Sequence, residues 1–196
     1  MKVIGLTGKT GAGKTTISTV LKEKGCFVID GDIVARSVTE KGSECLEALC
    51  KVFGNEIVDE NGNLIRAELA KRAFKDEDST AVLNSTTHPF IKNNFISQLE
   101  LAKETGYKTA IIDAAALLES DCKDLCSTII VVTAPEDIRL QRAMERDGIS
   151  KERILERMRA QKTDEYYFSQ ADVIFRNFPP YDKDENEWLK IFSVIE

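Results

Sequence analysis

The stretch Gly8-Lys9-Thr10-Gly11-Ala12-Gly13-Lys14-Thr15 decides the fold of this chain. It fits the pattern G-x-x-x-x-G-K-[S/T] of a phosphate-binding loop, or P-loop, at every defined position. The apolar residues just before it, 3–6, are typical of a buried strand. The residues after it place Ile17, Val20 and Leu21 on one face of a helix. A strand, a glycine-rich loop and a helix in this order predict a nucleotide-binding α/β domain.

The residue types of the loop indicate how it would hold a triphosphate. Glycines let backbone N–H groups converge on phosphate oxygens without interference from Cβ atoms. Lys14 would neutralise the β- and γ-phosphates, and the Thr15 hydroxyl would bind Mg²⁺. No Asn-Lys-x-Asp segment of the kind that reads guanine occurs, so we expect a kinase that uses ATP and Mg²⁺. The predicted nucleotide-binding residues of the loop are Gly8, Gly11, Ala12, Gly13, Lys14, Thr15 and Thr16.

Four further apolar segments predict the rest of the sheet, at residues 26–29, 109–112, 128–133 and 173–175. They lack polar alternation, as expected of parallel strands covered on both faces. The sequence therefore predicts one α/β domain over residues 1–196: a doubly wound, five-stranded parallel sheet with an inserted helical subdomain and a helical lid. The expected parts are a nucleotide-binding core (1–32, 107–138 and 166–196), the insertion (33–106, with a helix starting at Phe90) and the lid (139–165).

Three carboxylates follow predicted strands, where parallel α/β sheets bind their ligands. Asp30 and Asp32 come at the end of the second strand, and Asp113 ends the third. Asp32 is the main candidate for orienting or deprotonating an attacking hydroxyl, and Asp30 the second. Asp113 is a candidate for holding Mg²⁺ through water. Capping of the next helix is the alternative role for each of these side chains.

A basic segment suggests contacts with a triphosphate. Between residues 139 and 162 there are eight Lys or Arg residues against four Asp or Glu residues, counted from the sequence. Arg139, Arg142 and Arg146 share one face of a predicted helix, and Arg153 and Arg157 repeat the spacing. A closing lid would bring such arginines to the phosphates. A solvated surface of salt bridges with the neighbouring glutamates is the alternative.

Composition excludes several other classes of protein. The net charge of −6 disfavours a general nucleic-acid binder, which normally carries a basic face. No apolar run reaches the length of a membrane span, and the first apolar stretch is too short for a signal peptide. Five cysteines, an odd number, indicate reduced thiols and a cytoplasmic location. Oligomeric state cannot be predicted from these features.

Several motifs, in this order, resemble the dephospho-CoA kinase family over nearly the whole chain. The most specific is Asp30-Gly31-Asp32-Ile33-Val34-Ala35-Arg36 after a P-loop strand. Others are His88-Pro89, Leu117-Leu118-Glu119, Arg146-Asp147-Gly148, Ala171-Asp172 and Asn177. The chain departs from the usual family pattern at Lys9-Thr10, Thr87, Ala115-Ala116 and Phe178-Pro179-Pro180.

The resemblance implies that ATP phosphorylates the ribose 3′-hydroxyl of dephospho-CoA. By matched position, Asp32 would be the catalytic base, with Lys14 and Arg142 of the lid as further catalytic residues. Thr7 would lie close to the phosphates, and Asn177 close to adenine. The residues that would hold the acceptor include Asp30, Arg36, His88 and Pro89. The alternatives are a nucleoside or nucleotide kinase of similar size and a nucleotide-binding module without catalysis.

Overall fold

A computed structural model describes residues 1–178 and 184–195 of the chain. Pro179 and Pro180, two of the departures from the family pattern, lie outside the described residues. The chain divides into two compact units, which we describe separately. Unit 1 comprises Met1–Asp30 and Leu99–Glu196, and unit 2 comprises Gly31–Gln98. The predicted bounds of the insertion (33–106) and of the lid (139–165) remain a hypothesis.

Unit 1 contains a five-stranded sheet in the order β2-β3-β1-β4-β5. All of its strand pairs are parallel. The predicted doubly wound parallel sheet is confirmed, since unbroken apolar runs form strands that are covered on both faces. The strands are β1 (Lys2–Thr7), β2 (Phe27–Asp30), β3 (Thr109–Asp113), β4 (Thr128–Thr133) and β5 (Val173–Arg176).

The helices alternate with these strands or belong to unit 2, and α5 continues from unit 2 into unit 1. They are α1 (Lys14–Glu23), α2 (Gly31–Ser37), α3 (Glu44–Phe53), α4 (Arg66–Ala73), α5 (Glu77–Glu104), α6 (Glu136–Asp147), α7 (Lys151–Arg159), α8 (Asp164–Phe168) and α9 (Asp184–Ile195). In unit 1, Ile17 and Leu21 of α1 pack with Ile4 and Leu6 of β1 in the main core. Phe175 and Ile191 join that core from β5 and α9.

Unit 2 has its own small core and one helix that the sequence analysis placed wrongly. Cys45, Leu49 and Ile57 are buried together with residues of α4. The prediction that Pro89 opens a helix at Phe90 was wrong, because α5 runs unbroken from Glu77 to Glu104 with Pro89 inside it. A proline inside a helix removes one backbone hydrogen bond, but a helix of this length has many others that hold it together.

Asp172, the residue before β5, forms two hydrogen bonds with Ile129 of β4. Its Oδ2 atom accepts a hydrogen bond of 2.7 Å from the backbone N–H of Ile129. In return, its own N–H donates to the Ile129 carbonyl over 3.0 Å. This reciprocal pair fixes the register with which β5 begins, and β5 leads directly to Asn177 in the nucleotide site described below.

We expect Asp172→Ala to lower the free energy of unfolding by about 1–2 kcal/mol, because the Ile129 N–H loses a charged acceptor. Asp172→Asn is the matched control: it keeps a carbonyl acceptor and should lose less than half as much. Urea unfolding followed by circular dichroism would measure both changes. Equal stability of Asp172→Ala and the unaltered chain would contradict this role.

Candidate active site

The P-loop joins the carboxyl end of β1 to the first residue of α1. Gly13 stands immediately before the helix with φ of 92°, a left-handed conformation that glycine adopts at little cost. Within the loop, the Ala12 N–H donates to the Lys9 carbonyl over 3.0 Å. Lys14 and Thr15 occupy the first turn of α1. The loop therefore presents the amino end of a helix, where backbone N–H groups and the helix dipole favour an anion.

Two glycines of the loop lie too close to neighbouring backbone for any side chain. A Cβ atom on Gly11 would stand 2.1 Å from the carbonyl oxygen of Arg139 in α6. A Cβ atom on Gly8 would stand 2.3 Å from the carbonyl oxygen of Val132 in β4. No residue with a Cβ atom fits at these distances. The two positions therefore require glycine for packing as well as for phosphate access.

The tip of the loop is tied to the segment that joins α7 to α8. The Lys9 ammonium pairs with the Asp164 carboxylate at 2.6 Å. The Thr10 N–H donates to Gln161 Oε1 over 3.0 Å. The sequence analysis identified Lys9 only as a departure from the family pattern and did not identify these partners, because more than 150 residues separate them along the chain. Periodicity carries no signal for such contacts.

Arg142 and Asn177 meet at the back of the loop. Arg142 Nη1 donates to the Asn177 carbonyl over 2.9 Å and to the Ala12 carbonyl over 3.5 Å. The Asn177 amide donates to the same Ala12 carbonyl over 3.0 Å. Both residues were predicted as site residues, and the structure brings them together beside Gly13. They line a cavity of about 310 Å³ together with Gly13, Thr16, Phe175, Arg176 and Trp188.

Two of the predicted carboxylates lie side by side at the carboxyl edge of the sheet. Asp30 of β2 is in register with Asp113 of β3, and Asp113 is in register with Leu6 of β1. Thr7, the last residue of β1, is fully buried, and its hydroxyl donates to the Ala115 carbonyl over 3.1 Å. Its observed contact therefore joins β1 to the loop after β3.

The donor set near the loop suits Mg²⁺. Thr15 offers a hydroxyl oxygen at the start of α1, and Asp113 offers carboxylate oxygens at the end of β3. Within residues 1–178 and 184–195, no group of three acidic, histidine or cysteine side chains forms a complete metal cage. Mg²⁺ normally takes only one or two protein oxygens and completes its shell with phosphates and water. These two residues fit such an ion.

The arginines that were predicted to share one face of α6 and α7 lie in different environments in the structure. Arg139 is buried, with 5% of its surface exposed, so it does not share an open face with Arg142 and Arg146. Arg146 pairs with Asp147 at 2.7 Å, and Arg157 pairs with the same carboxylate at 2.6 Å. These hydrogen bonds, first from Arg146 and then from Arg157, hold the pKa of Asp147 below its ordinary value. Arg146 and Arg157 therefore form salt bridges within the basic segment, and the carboxylate in both pairs is Asp147 rather than a glutamate.

The remaining predicted residues belong to unit 2. Asp32 is exposed in the first turn of α2, which begins one residue after β2 ends, and Arg36 is exposed in its last turn. α2 starts at Gly31, so Asp32 lies inside the helix rather than at the capping position before it. His88 is half-buried and Pro89 exposed, both within α5.

Other features of the chain lie away from the loop. A larger hollow of about 600 Å³ is at the opposite edge of the sheet, by Cys26 and Thr109, and carries none of the predicted site residues. The five cysteines are free thiols, and burial raises the pKa of Cys45 to about 11 and of Cys126 to about 12. None of the described helices is both long and apolar enough for a membrane crossing.

Comparison with known proteins identifies the family. The family model described as dephospho-CoA kinase matches residues 2–180. The dephospho-CoA kinase of Corynebacterium diphtheriae is 39% identical over 177 residues, which is 90% of this chain and 88% of that protein. That of Listeria innocua is 35% identical over 188 residues, covering 96% of this chain and 94% of that one.

Solved structures agree at the level of the fold. A crystal structure from Thermus thermophilus has a TM-score of 0.83 at 26% identity and covers 100% of this chain and 98% of its own. Dephospho-CoA kinase from Campylobacter jejuni has a TM-score of 0.62 at 22% identity, covering 100% of this chain and 97% of that chain. Because the family model spans nearly all of the described sheet and P-loop, and relatives match at more than 30% identity, the chain belongs to the dephospho-CoA kinase family.

Proposed function

We propose that this protein transfers the γ-phosphoryl group of ATP to the ribose 3′-hydroxyl of dephospho-CoA, giving coenzyme A and ADP. The observation that carries the proposal is the P-loop at the start of α1, in a chain that the dephospho-CoA kinase model matches over residues 2–180. The loop supports the choice of donor, and family membership supports the choice of acceptor. The five free cysteines suit the reducing cytoplasm, where we place the reaction.

In the proposed step, the 3′-hydroxyl oxygen attacks the γ-phosphorus while the bond from that phosphorus to the β,γ-bridging oxygen breaks. ADP leaves, and the hydroxyl proton passes to the Asp32 carboxylate. Lys14 and the backbone N–H groups of the loop would stabilise the charge that develops on the phosphoryl oxygens. Arg142, already hydrogen-bonded to Ala12 and Asn177, would hold the loop and the nucleotide in register.

Mg²⁺, when bound with ATP, would reduce the charge on the β- and γ-phosphates. Thr15 and Asp113 are the residues that we propose to hold it. The cavity beside Gly13 would take the adenine, since Phe175 and Trp188 give it an apolar wall and Asn177 supplies polar groups. Arg36, His88 and Pro89 of unit 2 remain proposed acceptor residues on the strength of the family motifs.

We expect Asp32→Asn to lower turnover by roughly 10²–10⁴-fold while leaving ATP affinity nearly unchanged, because it removes a proton acceptor and no phosphate contact. ADP release with ATP, Mg²⁺ and dephospho-CoA would measure turnover, and calorimetry would measure ATP binding. Glu47→Gln, which neutralises an exposed carboxylate of α3, is the matched control and should stay active. Near-normal turnover of Asp32→Asn would remove Asp32 as the base. Without ADP release from the unaltered protein in this assay, the acceptor assignment would fail.

A second prediction concerns the donor side. Lys14→Met should lower kcat/KM for ATP by roughly 10²–10³-fold, because one cation directed at the phosphates is lost. Lys22→Met removes an exposed lysine from the last turn of the same helix and should change ATP use less than twofold. Steady-state kinetics at varied ATP would compare the two variants. If both substitutions had the same effect, Lys14 would have no special place in the loop.

A further inference from the structure

Arg139 carries a buried charge that the described protein does not neutralise. Its side chain is on α6 and is 5% exposed. The Nε atom donates to the Ala134 carbonyl over 3.0 Å. The Nη1 atom is buried and has no hydrogen-bond partner among the described residues. No carboxylate in the described part of the chain pairs with this guanidinium, in contrast to those of Arg146 and Arg157.

Such an arrangement is unfavourable for folding by itself. Removing a charge from water costs several kcal/mol unless an opposite charge or several hydrogen bonds compensate it. A buried lysine or carboxylate can lose its charge, but an arginine keeps its charge inside proteins. A buried donor without a partner in a native fold calls for an explanation, and a ligand that supplies the missing acceptor is one.

The backbone of Arg139 packs directly against the P-loop. Its backbone carbonyl is the atom against which Gly11 packs. Ala134, which accepts from its Nε, follows β4, and the neighbouring Val132 carbonyl packs against Gly8. Both contacts involve the parts of β4 and α6 that pack against the P-loop.

Helix α8 also lies close to Arg139. Tyr167 is buried, and burial raises its pKa to about 12, while the nearby charge of Arg139 acts in the opposite direction. The helix that carries Tyr167 starts at Asp164, the partner of Lys9 at the tip of the loop. The guanidinium therefore lies by the start of α6 and by Tyr167 of α8, and within the described chain it forms no salt bridge with Glu119, whose charge also acts on Tyr167.

We propose that Arg139 is a buried cation of the phosphate site, and that the polyphosphate chain of the nucleotide supplies the negative charge that the protein withholds. The guanidinium raises the positive potential at the loop from behind, where water does not screen it. A water molecule that bridges to a phosphoryl oxygen would complete the hydrogen bonding of its buried Nη1 donor. The inference rests on the donor half of the proposed function, and it is independent of the acceptor.

The test compares ligands of rising negative charge with variants that separate charge from packing. Arg139→Gln keeps a donor near the Ala134 carbonyl but removes the charge, and Arg139→Lys keeps a cationic group that burial can neutralise. Lys22→Gln, at an exposed position in the last turn of α1, is the matched control. Calorimetry without Mg²⁺ would measure the affinity of each protein for adenosine, ADP, ATP and inorganic tripolyphosphate, and thermal unfolding would measure stability without ligand.

We expect Arg139→Gln to weaken ATP and tripolyphosphate binding by roughly tenfold, ADP binding by less, and adenosine binding not at all, because the loss scales with ligand charge. Lys22→Gln should bind nearly as the unaltered protein does, and Arg139→Lys should bind ATP more tightly than Arg139→Gln but less tightly than the unaltered protein, because a buried lysine can lose its charge. Without ligand, Arg139→Gln should unfold at the same or a higher temperature. A residue that only supported the fold would lower both stability and affinity for all four ligands.

Unchanged tripolyphosphate binding by Arg139→Gln would overturn the inference, as would an equal loss for adenosine and ATP. Failure of both Arg139→Gln and Arg139→Met to fold would also overturn it, because the charge would then serve the unliganded fold. The outcome is separable from that of the proposed function. Tripolyphosphate binding without phosphorylation of dephospho-CoA would reject the acceptor and leave this inference in place.

Discussion

The P-loop packs against its neighbours through backbone atoms. Gly8 lies on the Val132 carbonyl and Gly11 on the Arg139 carbonyl, with no room for a Cβ atom at either contact. The shape of the loop therefore depends on its packing against β4 and α6. The central position of β1, between β3 and β4, supplies that support from both sides. A phosphate site built of N–H groups needs this rigidity, because its donors are useful only when they already point at the ligand.

The loop is held by residues that are distant in sequence. Asp164 and Gln161 hold its tip through Lys9 and Thr10, while Arg142 and Asn177 bond to Ala12. Each of these contacts restricts the loop, so less conformational entropy has to be lost when a triphosphate binds. They also connect the loop to α6, α7 and α8, the helices from which the sequence analysis predicted a lid. Any movement of those helices would therefore act on the loop directly.

The sheet and the loop could be predicted from the sequence because their signals are local. Unbroken apolar runs and a fixed glycine spacing report on a few neighbouring residues, and all five strands appear where such runs occur. Pro89 was misinterpreted because proline usually marks a helix start, whereas α5 is long enough to tolerate one missing hydrogen bond. Arg139 was placed on an open face because helical spacing shows which residues share a face but does not show what covers it. The pair of Lys9 and Asp164 has no local signal at all.

The positive charges around the loop fall into two physical classes. Lys9, Arg146 and Arg157 each contact a carboxylate, so their fields partly cancel before any ligand arrives. Arg139 instead donates to a backbone carbonyl, which satisfies one N–H group but leaves the net charge in place. Burial then increases the reach of that charge, because the surrounding protein screens it less than water does. This arrangement lowers the stability of the fold. In exchange it raises the affinity of the site for anions, and the affinity increases with each additional negative charge on the ligand. A triphosphate is the nucleotide form that benefits most, so an uncompensated arginine behind the loop favours the phosphoryl donor over its diphosphate product.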